Sequence, residues 1–354
     1  MIANSIGSPL VSKSTKYVCP LKTALAPMQD VTGLPFMKVI ASRGAPDFFF
    51  TEFFRVHSNS RLNEEILRSI TENTSGRPVV AQLIGENLID LTRTVKDLSK
   101  YPIFGIDLNL GCPAPRVYKK NVGGGLLRNP DKIDSILRRL REEFGGSLSV
   151  KMRYGFEDDR NFDRILSILK SRKVDMVSLH ARTVLGGYRT KPEYGYVKKA
   201  SSFLECPVFL NGNVQTHEEA FELVNSTGAS GAMIGRAAIR NPWIFRQIRE
   251  QTTNAKVFNP KLKDVFEYVS ELYEMLKNSN ANESNTVARI KKFLNFVGLS
   301  IDQEGKFLFY MRRAKNRKEL FFVFEEFLLE KGKGECFFSN RPFEGLLARP
   351  SCES

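Results

Sequence analysis

Apolar residues in this chain fall first into short runs and later into a helical rhythm, and the change comes near residue 249. Runs at residues 23–27, 48–52, 78–83, 105–109, 148–152, 176–180, 207–211 and 231–235 have the length and composition of buried parallel strands. Between them lie amphipathic stretches such as 34–42, 131–144, 162–171 and 216–226, the second behind an Asn129-Pro130 start signal. Eight β-then-α units predict an α/β chain folded as a (β/α)8 TIM barrel, although a doubly wound sheet alternates in the same way. The polar residues decide between the two. Nearly every run stays apolar until its C-terminal end and there delivers one polar group: Glu52, Gln82, Asn109, Lys151, His180, Asn211 and Gly235-Arg236. In a barrel these ends converge on one mouth, where barrel active sites are built.

Beyond residue 249 the period becomes helical, at 262–277, 287–297, 307–313 and 319–330, which predicts a smaller all-α helical domain. The expected organisation is a loose N-terminal extension over 1–18, a barrel over 19–249, a helical domain over 250–335 and a tail over 336–354 without clear periodicity. No internal repeat stands out beyond the β/α alternation.

Charge adds a partner. The 354 residues carry 53 Lys and Arg against 39 Asp and Glu, a net charge of +14, which favours a polyanion such as nucleic acid. Residues 286–319 alone hold nine basic and three acidic residues. A solvated helix face explains such a run in isolation, whereas a nucleic-acid grip explains it beside a basic barrel mouth. Five cysteines without C-x-x-C spacing argue against a disulfide framework or structural zinc, and three histidines leave little material for a metal centre. No signal-peptide core and no membrane-spanning apolar run appear, so a soluble, cytoplasmic chain is expected.

The stretch with most chemistry runs from Gly105 to Arg128. It reads as a strand carrying Asn109, then a loop that leads with Cys112, holds Arg116, Lys119, Lys120 and Arg128 without an acidic residue, and includes Gly123-Gly124-Gly125. A lone cysteine is usually an inert buried hydrophobe. In a basic loop whose glycines permit close approach or lid motion, it suggests chemistry on an anionic partner. The segments Asn211-Gly212-Asn213 and Gly235-Arg236 occupy the position where many barrels bind phosphate. Pro27-Met28-Gln29 offers an apolar shelf, Gln82 a hydrogen bond to a flat heterocycle, and Lys151 with His180 the means to stabilise negative charge on a reduced ring. Gln82 and His180 also read as satisfied polar groups of a barrel core.

The motifs Ala26-Pro27-Met28-Gln29-Asp30, Asn109-Leu110-Gly111-Cys112-Pro113, Val150-Lys151-Met152-Arg153, His180-Ala181-Arg182-Thr183, Asn211-Gly212-Asn213 and Ile234-Gly235-Arg236 resemble those of the tRNA dihydrouridine synthases, most strongly over residues 23–249. The resemblance implies an enzyme with FMN in the barrel mouth, NADPH as transient reductant, tRNA as substrate and a helical tRNA-recognition domain. FMN contacts would come from Pro27, Met28, Gln29, Gln82, Lys151, His180, Asn211, Gly212, Asn213, Gly235 and Arg236. Cys112 would be the general acid, protonating C5 of a flipped-out D-loop uracil as hydride reaches C6. Asn109, Arg153 and Arg182 would meet the uracil or nearby phosphates, and Arg116, Lys119, Lys120, Lys291, Lys292, Arg312 and Arg313 the RNA backbone. The expected enzyme is a monomer that needs no metal or membrane. Two other readings compete. One is an FMN barrel oxidoreductase acting on a free pyrimidine or enone, which the basic helical region disfavours; the other is a non-catalytic RNA-binding barrel, which Cys112 with Lys151 and His180 disfavours.

Overall fold

A computed structural model describes residues 21–279 and 282–348. The extension expected over residues 1–18 and the end of the tail lie outside them. The expected barrel is present. Its strands are β1 (Lys22–Leu25), β2 (Phe48–Phe50), β3 (Phe54–Arg55), β4 (Val79–Ile84), β5 (Gly105–Leu110), β6 (Ser147–Arg153), β7 (Met176–His180), β8 (Val208–Asn211) and β9 (Gly231–Ile234). All pairings are parallel, and β1 closes the ring by pairing with both β2 and β9. The two-residue β3, which the hydrophobic runs do not signal, continues the position of β2: Phe49 pairs with Val79 of β4 and Phe54 with Leu83. Between them Glu52 and Phe53 leave the wall and face the mouth.

Alternation along the strands layers the interior. Ala24, Ala26, Phe50, Val80, Met176, Phe209 and Met233 fill the lower barrel as a cluster separate from the outer core. Above them the same inward period brings polar residues, with Asp107 opposite Ser149 and Asn109 opposite Lys151 in the β5–β6 register.

The covering helices include the expected α1 (Leu34–Ser42), then α2 (Glu64–Thr71), α3 (Leu88–Leu98), the single turn α4 (Pro115–Tyr118), α5 (Pro130–Glu143), α6 (Phe162–Ser171), α7 (Gly195–Phe203), α8 (His217–Thr227) and α9 (Arg236–Arg240). Asn63, Asn87, Asn129 and Thr216 accept first-turn N–H groups of α2, α3, α5 and α8, which fixes where these helices begin.

The helical region comprises α10 (Ile244–Thr252), α11 (Leu262–Asn278), α12 (Glu283–Val297), α13 (Lys306–Arg313) and α14 (Arg317–Leu328). One apolar cluster runs from the outer barrel layer into these helices. Phe36 of α1 packs on Phe293 of α12 with ring centroids 5.2 Å apart, and the Tyr268 hydroxyl donates to the Ile239 carbonyl at 2.9 Å. Arg43 of α1 pairs with Glu271 of α11 at 2.6 Å. Buried Arg240 donates to the carbonyls of Gln215 (2.6 Å) and Asn340 (2.8 Å), so it joins the barrel to the tail. The tail, which shows no periodicity, is held by such specific contacts: Phe337 bridges to Lys261, and Arg341 pairs with Glu219 of α8 at 2.5 Å. Among the described residues no helix is long and apolar enough to cross a membrane.

Candidate active site

The strand ends converge on a cleft of about 670 Å³ at the barrel mouth, lined by Pro27, Met28 and Gln29 after β1, Asn109 and Cys112 from β5 and its loop, Lys151 and Arg153 of β6, His180 of β7, Asn211, Gly212 and Asn213 from β8, and Gly235 and Arg236 after β9. A cleft of this size accommodates a cofactor and part of a substrate together.

Its electrostatics are cationic. His180 is held well below the usual imidazole range by burial and then by the charges of Arg153, Lys151, Arg182 and Arg236, so it is neutral at neutral pH. Burial, followed by the charge of Arg153, lowers the Lys151 ammonium to about 8, while Asp107 opposes the shift. Lys151 Nζ donates to Asn211 Oδ1 at 3.2 Å, and Asn211 Nδ2 donates to the Met233 carbonyl at 2.7 Å, which orients that amide. His180 Nδ1 and Arg182 Nη1 are buried and find no hydrogen-bond partner among the described residues. Gly212 has φ +111, and a Cβ there would stand 3.3 Å from the His180 ring, so a side chain would close the mouth at this point. A surplus of buried cations, the unpartnered Arg182 donor and His180 nitrogen, and a glycine cradle fit a flat ligand bearing negative charge. The helix following β9 is only one turn long, so it offers the cleft little dipole, and Arg236 is the charged group it presents there.

Four expected roles change with the geometry. Gln82 is fully buried below the mouth; its Nε2 donates to Asp107 Oδ2 at 2.7 Å and its Oε1 accepts from Asn109 Nδ2 at 2.8 Å, leaving no reach to a ligand in the cleft. Asn109 is turned to its own loop, its Oδ1 accepting the N–H groups of Gly111 and Cys112 at 3.0 Å each. Arg153 is 2% exposed and donates to the carbonyls of Gly111, Thr183 and Gly187, so it clamps two loops together. Arg182 is likewise buried and donates to the Thr190 carbonyl at 2.6 Å.

The Cys112 loop, whose glycines left close approach and lid motion open in the sequence, is a packed structure. After α4 it forms a 3-10 helix over Gly123–Arg128 whose first five residues are buried. A Cβ on Gly124 would come within 2.6 Å of the Val184 side chain and 2.8 Å of the Cys112 carbonyl, so this glycine serves close packing beneath the cysteine. Arg128 donates to the Tyr118 carbonyl and the Asn121 side chain and lies 4.3 Å over the Phe156 ring, which makes it a brace of the loop. Arg116, Lys119 and Lys120 are exposed, and Arg116 reaches Gln29 of the mouth at 3.3 Å.

In the helical region Lys291 donates to the Arg312 and Ala314 carbonyls, and Arg312 donates to Asn295 Oδ1 and the Leu347 carbonyl. Lys291 works on carbonyls that the end of α13 leaves unpaired, whereas Arg312 ties that end to α12 and the tail. Lys292 and Arg313 keep exposed heads, the first 3.1 Å from Asp30 beside the mouth, the second 3.4 Å over the half-exposed Phe309 ring.

The sequence reading missed Asp107, Glu52 as an interior acid, and Tyr188. Asp107 lies two residues before Asn109 and so faces the same way, which the strand period could have revealed. Tyr188 stands at the rim with the guanidinium of Arg236 4.3 Å and that of Arg153 5.6 Å from its ring centroid. Glu52 accepts the Asp30 N–H at 2.8 Å, and burial raises its carboxyl to about 7. A raised carboxyl stabilises the fold below its unfolded-state value and loses that contribution as pH climbs through about 7. Glu52→Gln therefore removes a decline in stability between about pH 4.5 and 7 and is more stable than wild type at pH 8, as urea titrations across this range would register. Parallel wild-type and variant profiles contradict this.

The description "Dihydrouridine synthase (Dus)" belongs to the family model that matches residues 24–326, covering the barrel and most of the helical region. Over 303 residues the chain is 33% identical to a probable tRNA-dihydrouridine synthase of Helicobacter pylori strain 26695, spanning 79% of this chain and 92% of that protein. It is 26% identical over 304 residues to the tRNA-dihydrouridine(16) synthase of Neisseria meningitidis strain Z2491, with 84% and 91% covered, and 28% identical over 308 residues to a probable tRNA-dihydrouridine synthase of Aquifex aeolicus, with 85% and 94% covered. A match that begins in the first barrel strand and ends in the last long helix takes in every residue of the mouth, and by it the chain belongs to the dihydrouridine synthase family.

Proposed function

We propose that this flavin-dependent oxidoreductase reduces the C5–C6 double bond of D-loop uridines in tRNA, using FMN in the barrel mouth and NADPH as reductant, and acts as a cytoplasmic monomer. The observation that carries the reading is the cleft that gathers Cys112, Lys151, His180, Asn211, Gly212 and Arg236 in a chain of this family. The names of the relatives supply tRNA as the substrate class.

The residues divide the work. Met28 and Pro27 would provide the apolar shelf, Gly212, Asn213, Gly235 and Arg236 would hold the phosphate, and Lys151 and neutral His180 would meet the polar edge of the flavin ring. A reduced flavin held there would supply the hydride for C6 of the uracil. Cys112 gives a proton to C5, and its loop keeps the thiol on the wall of the mouth. Beside the mouth a second cleft of about 550 Å³, lined by Arg55, His57, Arg61 and Arg289, shares Gln29, Glu52 and Phe53 with the first, a basic track that suits RNA leading to a flipped base. Barrel residues 19–249 form the catalytic unit and helical residues 250–335 the tRNA-binding unit.

Purified enzyme incubated with NADPH and unmodified tRNA, read by mapping reduced uridines, tests the proposal. Reduced uridines at D-loop positions are expected. A colourless protein that stays colourless with added FMN overturns the redox reading, and equal NADPH oxidation with tRNA and free uridine overturns the RNA reading. For the RNA surface, Lys292→Glu with Arg313→Glu weakens tRNA binding and reduces the slope of log affinity against log salt by about 0.7 to 0.9 per lost phosphate contact. An unchanged slope in filter binding moves the RNA elsewhere. Lys291 and Arg312 are unsuitable for this measurement because reversing them breaks the hydrogen bonds that hold α13.

A further inference from the structure

Below the mouth runs a chain of side-chain hydrogen bonds that ends on the backbone of Cys112. Ser149 Oγ donates to Asp107 Oδ1 at 2.6 Å, Gln82 Nε2 donates to Asp107 Oδ2 at 2.7 Å, Asn109 Nδ2 donates to Gln82 Oε1 at 2.8 Å, and Asn109 Oδ1 accepts from Gly111 N and Cys112 N at 3.0 Å each. Asp107, Gln82 and Ser149 are at most 1% exposed, so water does not compete for these bonds. A primary amide has a donor end and an acceptor end, and turning it over exchanges them. Asn109 holds the loop only while its oxygen points at Gly111 and Cys112.

The chain sets that direction. An ionised carboxylate only accepts, so Asp107 draws the donor end of Gln82 toward itself and turns the Gln82 oxygen to Asn109. That oxygen in turn draws the Asn109 amino group and leaves the Asn109 oxygen facing the loop. The two loop N–H groups demand the same orientation from the other end. We infer that Asp107 and Gln82 are positioning residues that act through Asn109: they fix the polarity of its amide and so hold the Cys112 backbone, and with it the thiol, in the reacting position. This rests on the role proposed for Cys112, although the fixing of the loop itself does not.

The inference makes an unusual demand on double variants. Gln82→Met keeps the volume and breaks the chain, which leaves the Asn109 amide held from the loop side alone. Asn109→Asp places a carboxylate whose two oxygens both accept, so it holds the loop N–H groups without instruction; Lys151, opposite it in register, supplies countercharge. Beside native Gln82, however, the carboxylate so introduced meets the Gln82 oxygen, acceptor against acceptor. Each single substitution therefore slows single-turnover dihydrouridine formation by pre-reduced enzyme on unmodified tRNA by about tenfold, the effect of one lost buried hydrogen bond. In Gln82→Met, flavin content, NADPH-driven flavin reduction and the KM for tRNA stay near wild type. The double variant recovers most of the lost rate, because Gln82→Met removes the acceptor that the new carboxylate opposes. A merely structural role gives additive or worse losses.

Additive losses in the double variant, or loss of flavin in Gln82→Met, overturn the inference. If Gln82→Met does not fold, Asn109→Asp alone decides: a wild-type rate overturns it. Iodoacetamide alkylation of Cys112, with Cys112→Ala as the blank, follows the same series without tRNA. Faster alkylation in each single variant and reversal in the double are expected, and equal rates throughout overturn the inference. Should the wild-type enzyme make no dihydrouridine, the proposed function fails while the alkylation series still tests the relay.

Discussion

Replacing Cys112 by Ala lowers dihydrouridine formation by about 10²- to 10⁴-fold, the usual worth of a general acid, and leaves flavin reduction by NADPH and tRNA affinity near wild type. The geometry makes this substitution unusually clean. The loop is held by the Cys112 backbone N–H on Asn109 and by Gly124 packed under the Cys112 carbonyl, and none of these contacts involves the thiol. Alanine therefore removes a proton donor without moving its support. Rapid-quench single turnovers on unmodified tRNA provide the measurement, and a residual rate above about a tenth of wild type would falsify the assignment of the acid.

Lys151→Met produces the second large effect, on the other half-reaction. The ammonium is lowered to about 8 by desolvation, and its residue lines the cleft opposite Asn109 in the strand register. A preorganised cation facing charge that develops in the reaction is worth about 10²- to 10³-fold, so NADPH-driven flavin reduction should slow by that factor. Affinity for the flavin weakens in wild type as pH rises through about 8, where the free lysine gives up its proton, and is flat with pH in the variant. Stopped-flow bleaching and flavin titrations at pH 7 and 9 examine both statements. A variant with a wild-type reduction rate removes Lys151 from the chemistry.

How far the sequence could carry these conclusions depended on the reach of single side chains. The strands were legible because each apolar run ends in a polar group at the same end, and the structure keeps nearly all those limits. Gln82 shows where that reasoning stops. β4 continues to Ile84, so Gln82 lies two residues, about 6.6 Å, short of the strand end, one layer too deep for a side chain of its length. Lys151 is equally far from the end of β6 but is long enough to reach the cleft. The glycines at 123–125 carried no signal to distinguish mobility from close packing, since both call for a missing side chain. Lys291 and Arg312 counted as basic charge in the sequence, whereas in the fold Lys291 satisfies carbonyls at the end of α13 and Arg312 a carbonyl of the tail, partners that only the folded neighbours reveal.

The apolar core that crosses from the barrel into the helices has a bearing on how a substrate is selected. With Phe36 packed on Phe293 and Arg43 paired with Glu271, the mouth and the exposed surface of α13 stand at a fixed separation. Such a molecule works as a caliper. On the function proposed above, an RNA whose contact points lie at another spacing touches one jaw but cannot bring a base to the other, so selection would be by length as well as by charge, with the strain of fitting on the RNA.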